Sequence, residues 1–223
     1  MILRAEDRFT TTSPGVTTRH SFSFGPHYDP SNVRFGPLVA HNDDRLEPGA
    51  GYDPHPHADL EIVTWVVEGS LTHDDSHDHH CVVVPGQVQR LAAGRGVQHS
   101  EIASSATRFV QMWLTPDEPG LDPVHEVAPV DVHGLTAVAS GLPGLHAAVR
   151  LGVAGAALHV ARPARGERVA LPDAARLHVF VTRGSVALGD DVLRDGDAAR
   201  CTGEVGVVLT GVDAAEVLVW QLP

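Results

Sequence analysis

The sequence contains no lysine: all sixteen basic side chains among its 223 residues are arginines. Without lysine the chain cannot form a Schiff base with a carbonyl substrate, attach pyridoxal phosphate or supply a P-loop lysine. The bases are also outnumbered by 28 acidic side chains, which gives a formal net charge of −12. Such a chain offers no basic patch that could follow a phosphate backbone. We therefore expect no direct binding of nucleic acid.

Cysteine is scarce as well, with only Cys81 and Cys201 in different halves of the chain. Two distant cysteines make no disulfide framework, and their apolar neighbours favour buried free thiols. The sequence lacks an apolar run of transmembrane length, and its first residues do not resemble a signal peptide. We therefore expect a soluble cytoplasmic protein that does not enter a membrane. Nothing in the sequence signals an oligomer, so we expect a monomer.

Histidine, in contrast, is abundant, with fifteen copies. His55 and His57 stand two residues apart, as do His99 and Glu101. In an extended strand, residues i and i+2 project from the same face, so each pair can point at one spot. Three imidazoles and one carboxylate suit a divalent transition metal, and the absence of thiolates argues against a structural zinc site. The spacing therefore predicts a metal site on two neighbouring strands.

Short β-branched runs separated by glycine and proline predict an all-β protein. Residues 61–67 and 81–84 are examples, and their spacing is typical of hairpins in a small barrel. Residues 116–123 are rich in proline and acidic side chains, which is typical of a linker. We therefore predict two domains, residues 1–118 and residues 119–223, the first with the metal site.

The two halves also look like a degenerate repeat. Residues 66–71 (VVEGSL) resemble residues 181–186 (VTRGSV), and residues 85–87 (PGQ) resemble residues 195–197 (DGD). Counting back from the shared glycine places Ala170 and Pro172 where the N-terminal half has His55 and His57. The second barrel is therefore predicted to have no metal site.

Several motifs in residues 20–115 resemble the pirins, and in particular the bacterial pirin-like bicupins of the cupin superfamily. The motifs are HSFSFG at 20–25, FGPL at 35–38, HPHADLE at 55–61, EG at 68–69, PGQVQ at 85–89 and AGRGVQHSE at 93–101. The resemblance implies a bicupin of two antiparallel jelly-roll β-barrels with one N-terminal metal. By position, the metal ligands it implies are His55, His57, His99 and Glu101.

The resemblance also implies what the metal site does. The metal in this family is usually iron, so we expect Fe(II), with Mn, Ni, Cu, Co and Zn as alternatives. Some bacterial members cleave the flavonol quercetin with dioxygen, so we expect a small phenolic substrate and O2. In such a reaction Glu101 is the expected catalytic base. Other members are regulatory proteins that bind protein partners, and this alternative function stays open.

Further residues carry alternative interpretations. Glu61 is a rival ligand to Glu101, since cupins outside the pirins often use a carboxylate four residues after the second histidine. We favour Glu101 and expect Glu61 to orient a ligand from outside the metal shell. Trp65 and Trp113 are expected in the core.

A second histidine cluster lies between the two predicted ligand pairs. It comprises His73, His77, His79 and His80, and we interpret it as part of a mobile acidic loop that binds adventitious ions. Within it, residues 77–80 (HDHH) replace the glycine–asparagine turn usual in the family. Ala58 likewise replaces the arginine that commonly follows the second histidine. Both departures leave the substrate or partner preference open.

Overall fold

Strands account for nearly all regular structure in the chain. The computed structural model describes residues 1–223 and contains 22 β-strands with a single short 3-10 turn at Ala5–Asp7. The prediction of an all-β protein is therefore confirmed. No helix is long and apolar enough to cross a membrane.

The strands follow one another at hairpin spacing in both halves of the chain. In chain order, those up to residue 130 are β1 (Ile2–Leu3), β2 (Phe9–Ser13), β3 (Val16–His20), β4 (Leu38–Leu46), β5 (Gly51–His57), β6 (Glu61–Glu68), β7 (Leu71–Asp75), β8 (His80–Val83), β9 (Gln87–Ala92), β10 (Val97–Ala103), β11 (Thr107–Leu114) and β12 (Val124–Pro129). Those after residue 130 are β13 (Leu135–Ser140), β14 (Val149–Arg150), β15 (Ala157–Ala161), β16 (Arg168–Ala170), β17 (Arg176–Arg183), β18 (Ser185–Leu188), β19 (Asp191–Arg194), β20 (Ala198–Thr202), β21 (Val208–Gly211) and β22 (Glu216–Leu222).

The chain divides into two compact units, which have the same sheet plan. Residues 9–130 form the N-terminal barrel, with a seven-stranded sheet in the order β12-β9-β6-β11-β4-β3-β2 and a four-stranded sheet β5-β10-β7-β8. Residues 131–223 with residues 1–8 form the C-terminal barrel, with sheets β1-β20-β17-β22-β15-β13-β14 and β16-β21-β18-β19. The order β9-β6-β11-β4 thus recurs as β20-β17-β22-β15, and β5-β10-β7-β8 recurs as β16-β21-β18-β19. The chain is a bicupin, as predicted.

The limits of the two units differ from the domain limits that composition suggests. The N-terminal unit runs to Val130 and not to residue 118, because β12 pairs with β9 along its whole length. Residues 1–8 belong to the C-terminal unit, because Ile2 in β1 pairs with Ala199 in β20. Residues 116–123 contain no strand, so the proline-rich segment is a connection inside the N-terminal unit.

Each barrel has its own apolar core. In the N-terminal barrel, β6 lies between β9 and β11, and its residues 61–67 are all buried, which explains a run that shows no alternation. Trp65 on this strand is completely buried, as predicted. Side chains of Val66, Leu71 and Phe109 form a buried cluster there. In the C-terminal barrel, Val179 and Val217 are among the residues of a separate cluster.

The repeat also locates what the C-terminal barrel has lost. His55 in β5 pairs with His99 in β10, whereas Ala170 in β16 pairs with Val208 in β21. Because β16 and β21 hold the sheet positions of β5 and β10, alanine and valine stand where the N-terminal barrel has two imidazoles.

Candidate metal centre

The His-Pro-His segment is an edge strand, which explains how it tolerates two prolines. β5 lies at the outer end of the four-stranded sheet, beside β10. Pro54 and Pro56 cannot donate ladder hydrogen bonds, and an edge strand needs only one side paired. The alternation along β5 therefore continues through proline, and His55 and His57 stay on the same face.

One irregularity in β5 adds a third side chain to that face. Tyr52 pairs with Glu101 and His55 with His99, so β5 has one more residue between its pairs than β10 has. Such a bulge shifts the alternation by one, and Tyr52 therefore shares a face with His55. Gly51 begins the strand, where a Cβ would lie only 2.0 Å from the Glu101 carbonyl oxygen. Only glycine lets the two backbones approach this closely.

The three predicted histidine ligands meet at one point. The ring centroids of His55 and His57 are 4.8 Å apart, those of His55 and His99 4.5 Å, and those of His57 and His99 5.0 Å. One ligand nitrogen from each ring lies within 4.8 Å of the other two. His55 Nδ1 lies 2.8 Å from the Asp53 carbonyl oxygen, to which it can only donate. That hydrogen bond leaves the lone pair on His55 Nε2.

Glu101 lies next to this group, on the buried face of β10. One of its carboxylate oxygens falls within 4.8 Å of ligand nitrogens of His99 and His73, although the four predicted ligands do not form a single group at that distance. Its Oε2 accepts a 2.7 Å hydrogen bond from Gln111 Nε2. Gln111 Oε1 in turn accepts a 2.9 Å hydrogen bond from Trp113 Nε1, which fixes the orientation of the amide.

Three buried polar atoms at the centre have no hydrogen-bond partner: His57 Nε2, His99 Nε2 and Glu101 Oε1. Buried polar atoms without partners are rare, because each costs about 1–3 kcal/mol. Two imidazole nitrogens and a carboxylate oxygen are the donors that first-row divalent metals prefer. The residues present therefore fit a divalent metal ion.

Burial also sets the charge states of these groups in the metal-free protein. It lowers the pKa of His99 to about 3 and that of His57 to about 4, with the positive charge of His55 as the next cause for both. The imidazoles are therefore neutral near pH 7 and able to coordinate. Burial raises the pKa of Glu101 to about 7, against the opposing hydrogen bond from Gln111. A carboxylate with this pKa can exchange a proton near neutral pH.

The sequence of the N-terminal barrel matches a known family. Residues 3–114 match the family model described as Pirin. The chain is also 47% identical over 229 residues to a Mycobacterium tuberculosis protein named "Putative quercetin 2,3-dioxygenase", a match that covers 99% of this chain and 94% of that protein.

The chain belongs to the pirin family.

Two matches from Escherichia coli extend these similarities. One, named "Quercetin 2,3-dioxygenase", is 38% identical over 126 residues, which cover 55% of this chain and 54% of that protein. The second is a solved structure, bacterial pirin YhhW in complex with nickel(II), with a TM-score of 0.93 and 30% identity. That match covers 100% of this chain and 99% of the other, so both barrels of this pirin have their counterparts in it.

The carboxylate of Glu61, the alternative ligand, pairs with an arginine. Its Oε1 accepts a 2.8 Å hydrogen bond from Arg90 Nη2, and its Oε2 accepts one of 2.8 Å from Arg90 Nε. Arg90 Nη1 also donates to Glu126 Oε2 at 2.8 Å. Glu61 therefore belongs to a buried ion pair between β6 and β9, and it is absent from both groups of potential ligands.

Only His77 and His79 of the second histidine cluster lie in a loop, since His80 begins β8, and His73 differs from all three. It lies on β7 and is completely buried, whereas His77, His79 and His80 are exposed. The assignment of His73 to a mobile loop is therefore wrong. The ring of His125, on β12, stacks on that of His73, with centroids 4.3 Å apart and an interplanar angle of 10°. The sequence pattern did not predict this neighbour. Only the pairing of β12 with β9 brings His125 there.

Cys81 also differs in part from the expectation. Both cysteines are free, and Cys201 is buried as predicted, but Cys81 is only half-buried. Its Sγ lies 3.8 Å from His125 Nε2.

A cavity of about 310 Å³ adjoins the centre. His55, Glu101 and Gln111 form one wall. The rest of the lining combines an apolar part and a polar part, with Phe24, Pro26, Trp113, Thr18, Asn42, Asp44 and Tyr52 among its residues. The prediction that Trp113 is a core residue is therefore incomplete, because its half-buried ring lines this cavity at 5.1 Å from that of Phe24.

The polar part of the cavity is organised by Asp44. Tyr52 donates its hydroxyl to Asp44 Oδ1 at 2.6 Å, and Thr18 donates to the same oxygen. Burial and then the charge of Asp44 raise the pKa of Tyr52, which stays a neutral phenol. The cavity is large enough for a small molecule, since such sites typically begin at about 300 Å³.

Proposed function

We propose that this protein is a metal-dependent dioxygenase that cleaves a flavonol such as quercetin. The observation that carries the proposal is the set of partnerless buried atoms of His57, His99 and Glu101. Glu101 and its neighbour His55 also line a cavity that has the rings of Phe24 and Trp113 in its wall. The names of the relatives add support, since one of those described above is called "Quercetin 2,3-dioxygenase" and another "Putative quercetin 2,3-dioxygenase".

The proposed ligands are His55, His57, His99 and Glu101. His73 is the competing candidate, because it also lies within ligand distance of His99 and Glu101. Its two nitrogens, however, have partners: Gln89 Nε2 at 3.0 Å from Nδ1, and Asp75 Oδ2 at 3.3 Å from Nε2. Glu101 Oε1 has none. This difference favours Glu101 as the fourth ligand.

A divalent metal bound there, with Fe(II) as our first choice, would supply Lewis-acid and redox chemistry for the reaction with dioxygen. The side chains of the site have their own tasks. The rings of Phe24 and Trp113 present apolar surface to a planar phenolic substrate. Four protein ligands leave up to two positions of a six-coordinate ion for other molecules.

Glu101 is the group best suited to take a proton from the substrate hydroxyl. It borders the cavity, and if it detaches from the metal or binds it through one oxygen, a carboxylate oxygen is left to take that proton. A general base in this position contributes about 10²–10⁴-fold in rate. Gln111 assists by holding Oε2 at 2.7 Å, so that Oε1 keeps a single direction.

The test is quercetin cleavage under air by protein loaded separately with iron, manganese, nickel and copper. We expect bleaching of the flavonol with one dioxygen consumed per molecule, and loss of both in His55→Ala and His99→Ala. Ala170→Ser in the C-terminal barrel is the matched control, and its activity should equal that of the wild type. If all four fully loaded forms leave quercetin untouched, the substrate assignment is wrong and a partner-binding role takes its place.

A further inference from the structure

His73 connects a proposed metal ligand to a buried carboxylate. Its Nδ1 lies 3.4 Å from His99 Nδ1, and its Nε2 lies 3.3 Å from Asp75 Oδ2. Gln89 Nε2 approaches the same His73 Nδ1 at 3.0 Å. The side chains of His73, His99 and Gln89 are all at least 99% buried, so water does not compete for these contacts.

These contacts allow only one set of tautomers if His99 is to bind a metal. The lone pair of His99 must be on Nε2, the buried nitrogen without a partner, so its proton is on Nδ1. That proton points to His73 Nδ1, which must therefore accept. The proton of His73 is then on Nε2, from which it is donated to Asp75. Gln89 fits this pattern, because its amide nitrogen also donates to His73 Nδ1.

The opposite orientation of Gln89 conflicts with metal binding. If its amide oxygen faced His73, the His73 proton would move to Nδ1. Two N–H groups, those of His73 and His99, would then face each other 3.4 Å apart. A neutral His99 would avoid the clash only by moving its own proton to Nε2, which is the nitrogen needed for the metal.

Other contacts hold His73 and Asp75 in place. The His73 ring stacks on that of His125, with centroids 4.3 Å apart. Asp75 Oδ1 accepts hydrogen bonds from the backbone N–H groups of His77 at 2.8 Å and His79 at 3.2 Å. Those two donors keep Oδ2 directed at His73.

We propose that His73 and Asp75 are positioning residues that fix the tautomer and the ring orientation of His99 for metal binding. Metal-bound histidines usually donate their second N–H to an acceptor that orients the ring and makes the ligand nitrogen more basic. Here the acceptor of His99 is another imidazole, and the carboxylate lies one step further out. The proposal rests on the metal site proposed above, but not on flavonol cleavage.

The acceptor of the second N–H can be removed by substitution for His99 but not for His55. The acceptor of His55 is the backbone carbonyl of Asp53, which no substitution removes. The acceptor of His99 is a side chain. His73→Phe keeps a ring that can stack on His125 and removes the accepting nitrogen. Asp75→Asn is a milder second variant, because it removes the charge and keeps the shape.

The first measurement needs no metal. Nitrogen-15 NMR of the metal-free wild type should show the Nδ1–H tautomer at His99 and the Nε2–H tautomer at His73. In His73→Phe, the His99 signal should move toward the Nε2–H form, because its acceptor is gone. A wild-type His99 that carries its proton on Nε2 would overturn the proposal, whatever the protein does to quercetin.

The second measurement is the affinity for Zn(II), by competition with a chromophoric chelator. We expect affinities about 10–100-fold weaker in His73→Phe, and weaker in the same direction in Asp75→Asn. His80→Gln is the matched control: it removes an exposed imidazole that contacts Asp74 and leaves the contact between Asp75 and His73, so its affinity should equal that of the wild type. Wild-type affinity and an unchanged His99 tautomer in folded Asp75→Asn and His73→Phe would contradict the proposal.

Discussion

Replacing Glu101 by glutamine should make the metal-free protein more stable above about pH 4.5 and should prevent tight metal binding. The side chain is 1% exposed and only one of its two oxygens has a hydrogen-bond partner. Glutamine has nearly the same shape, and its amide oxygen can accept the bond that Gln111 now donates to Oε2. What the substitution removes is the ionisable proton and the negative charge.

The size of the gain follows from the pKa of Glu101. Burial is the largest cause of its rise from 4.5 to about 7; the hydrogen bond from Gln111 opposes it and the charge of Asp44 adds to it. The folded protein therefore holds this proton more firmly than the unfolded chain. Stability must fall as pH rises from about 4.5 through 7, by about 3 kcal/mol at 1.36 kcal/mol per pKa unit. Glutamine never ionises, so the variant avoids this loss.

Urea unfolding in the presence of a chelator measures the effect. At about pH 4.5 the free energies of unfolding of wild type and Glu101→Gln should be similar. At about pH 8 the variant should be more stable by up to about 3 kcal/mol. Excess divalent metal should reverse the order, because an ion at 1,000 times its dissociation constant adds about 4.1 kcal/mol to the protein that binds it.

A matched control is Glu118→Gln, which removes an exposed carboxylate and should leave both the pH dependence and the metal response unchanged. The reasoning fails if metal-free wild type and Glu101→Gln lose stability in parallel as pH rises. It fails equally if the variant gains as much stability from the metal as the wild type does, since Glu101 would then not be a ligand.

Three further predictions concern the surroundings of the centre. Glu61→Gln should lower the free energy of unfolding by about 3 kcal/mol, which is the low end for a broken buried ion pair, because Glu126 still pairs with Arg90. The metal content, measured by elemental analysis, should stay at the wild-type level. Metal loss in a folded variant would contradict this prediction. Gly51→Ala should lose the metal and about 1–3 kcal/mol of stability, because its Cβ would press on the Glu101 carbonyl oxygen. Gly49→Ala is the control for metal content: its φ of +81° strains an alanine, but a Cβ there meets nothing within 4 Å, so it should lose stability and keep the metal. A fully loaded Gly51→Ala would refute the close approach. Elemental analysis after mild chelation should find one metal per chain, since the C-terminal barrel has alanine and valine at the corresponding strand positions. Two equivalents that persist in a variant lacking His77, His79 and His80 would disprove this.

The side chains that meet at the centre could be predicted because their signal is local. His55 and His57 keep the two-residue alternation of one strand, and His99 and Glu101 keep that of another. The bulge in β5 lies between Tyr52 and His55, ahead of the histidine pair, so it disturbs neither. The equivalence of the two barrels was predicted similarly, from the likeness of residues 66–71 to residues 181–186. The order of the strands was not, because neighbours such as β6 and β11 are far apart in the sequence.

The supporting residues could not be predicted, because their roles depend on which strands become neighbours. Gln111 reaches Glu101 from β11, in the other sheet of the barrel. His125 reaches His73 only because β12 continues the seven-stranded sheet beyond the proline-rich segment. The assignment of β1 to the C-terminal barrel is a similar case, since a strand of two residues carries no periodic signal.

The two barrels show why the buried polar atoms of the metal centre are informative. Both have the same sheet plan, so the plan itself does not require His57 Nε2, His99 Nε2 or Glu101 Oε1 to lie buried without partners. The C-terminal barrel has apolar Ala170 and Val208 at the strand positions of His55 and His99. At about 1–3 kcal/mol each, unsatisfied atoms are a large burden for a domain whose net stability is about 5–15 kcal/mol. Their cost disappears once an ion takes up the lone pairs, and so the N-terminal barrel should gain stability from the metal that the C-terminal barrel has no means to gain.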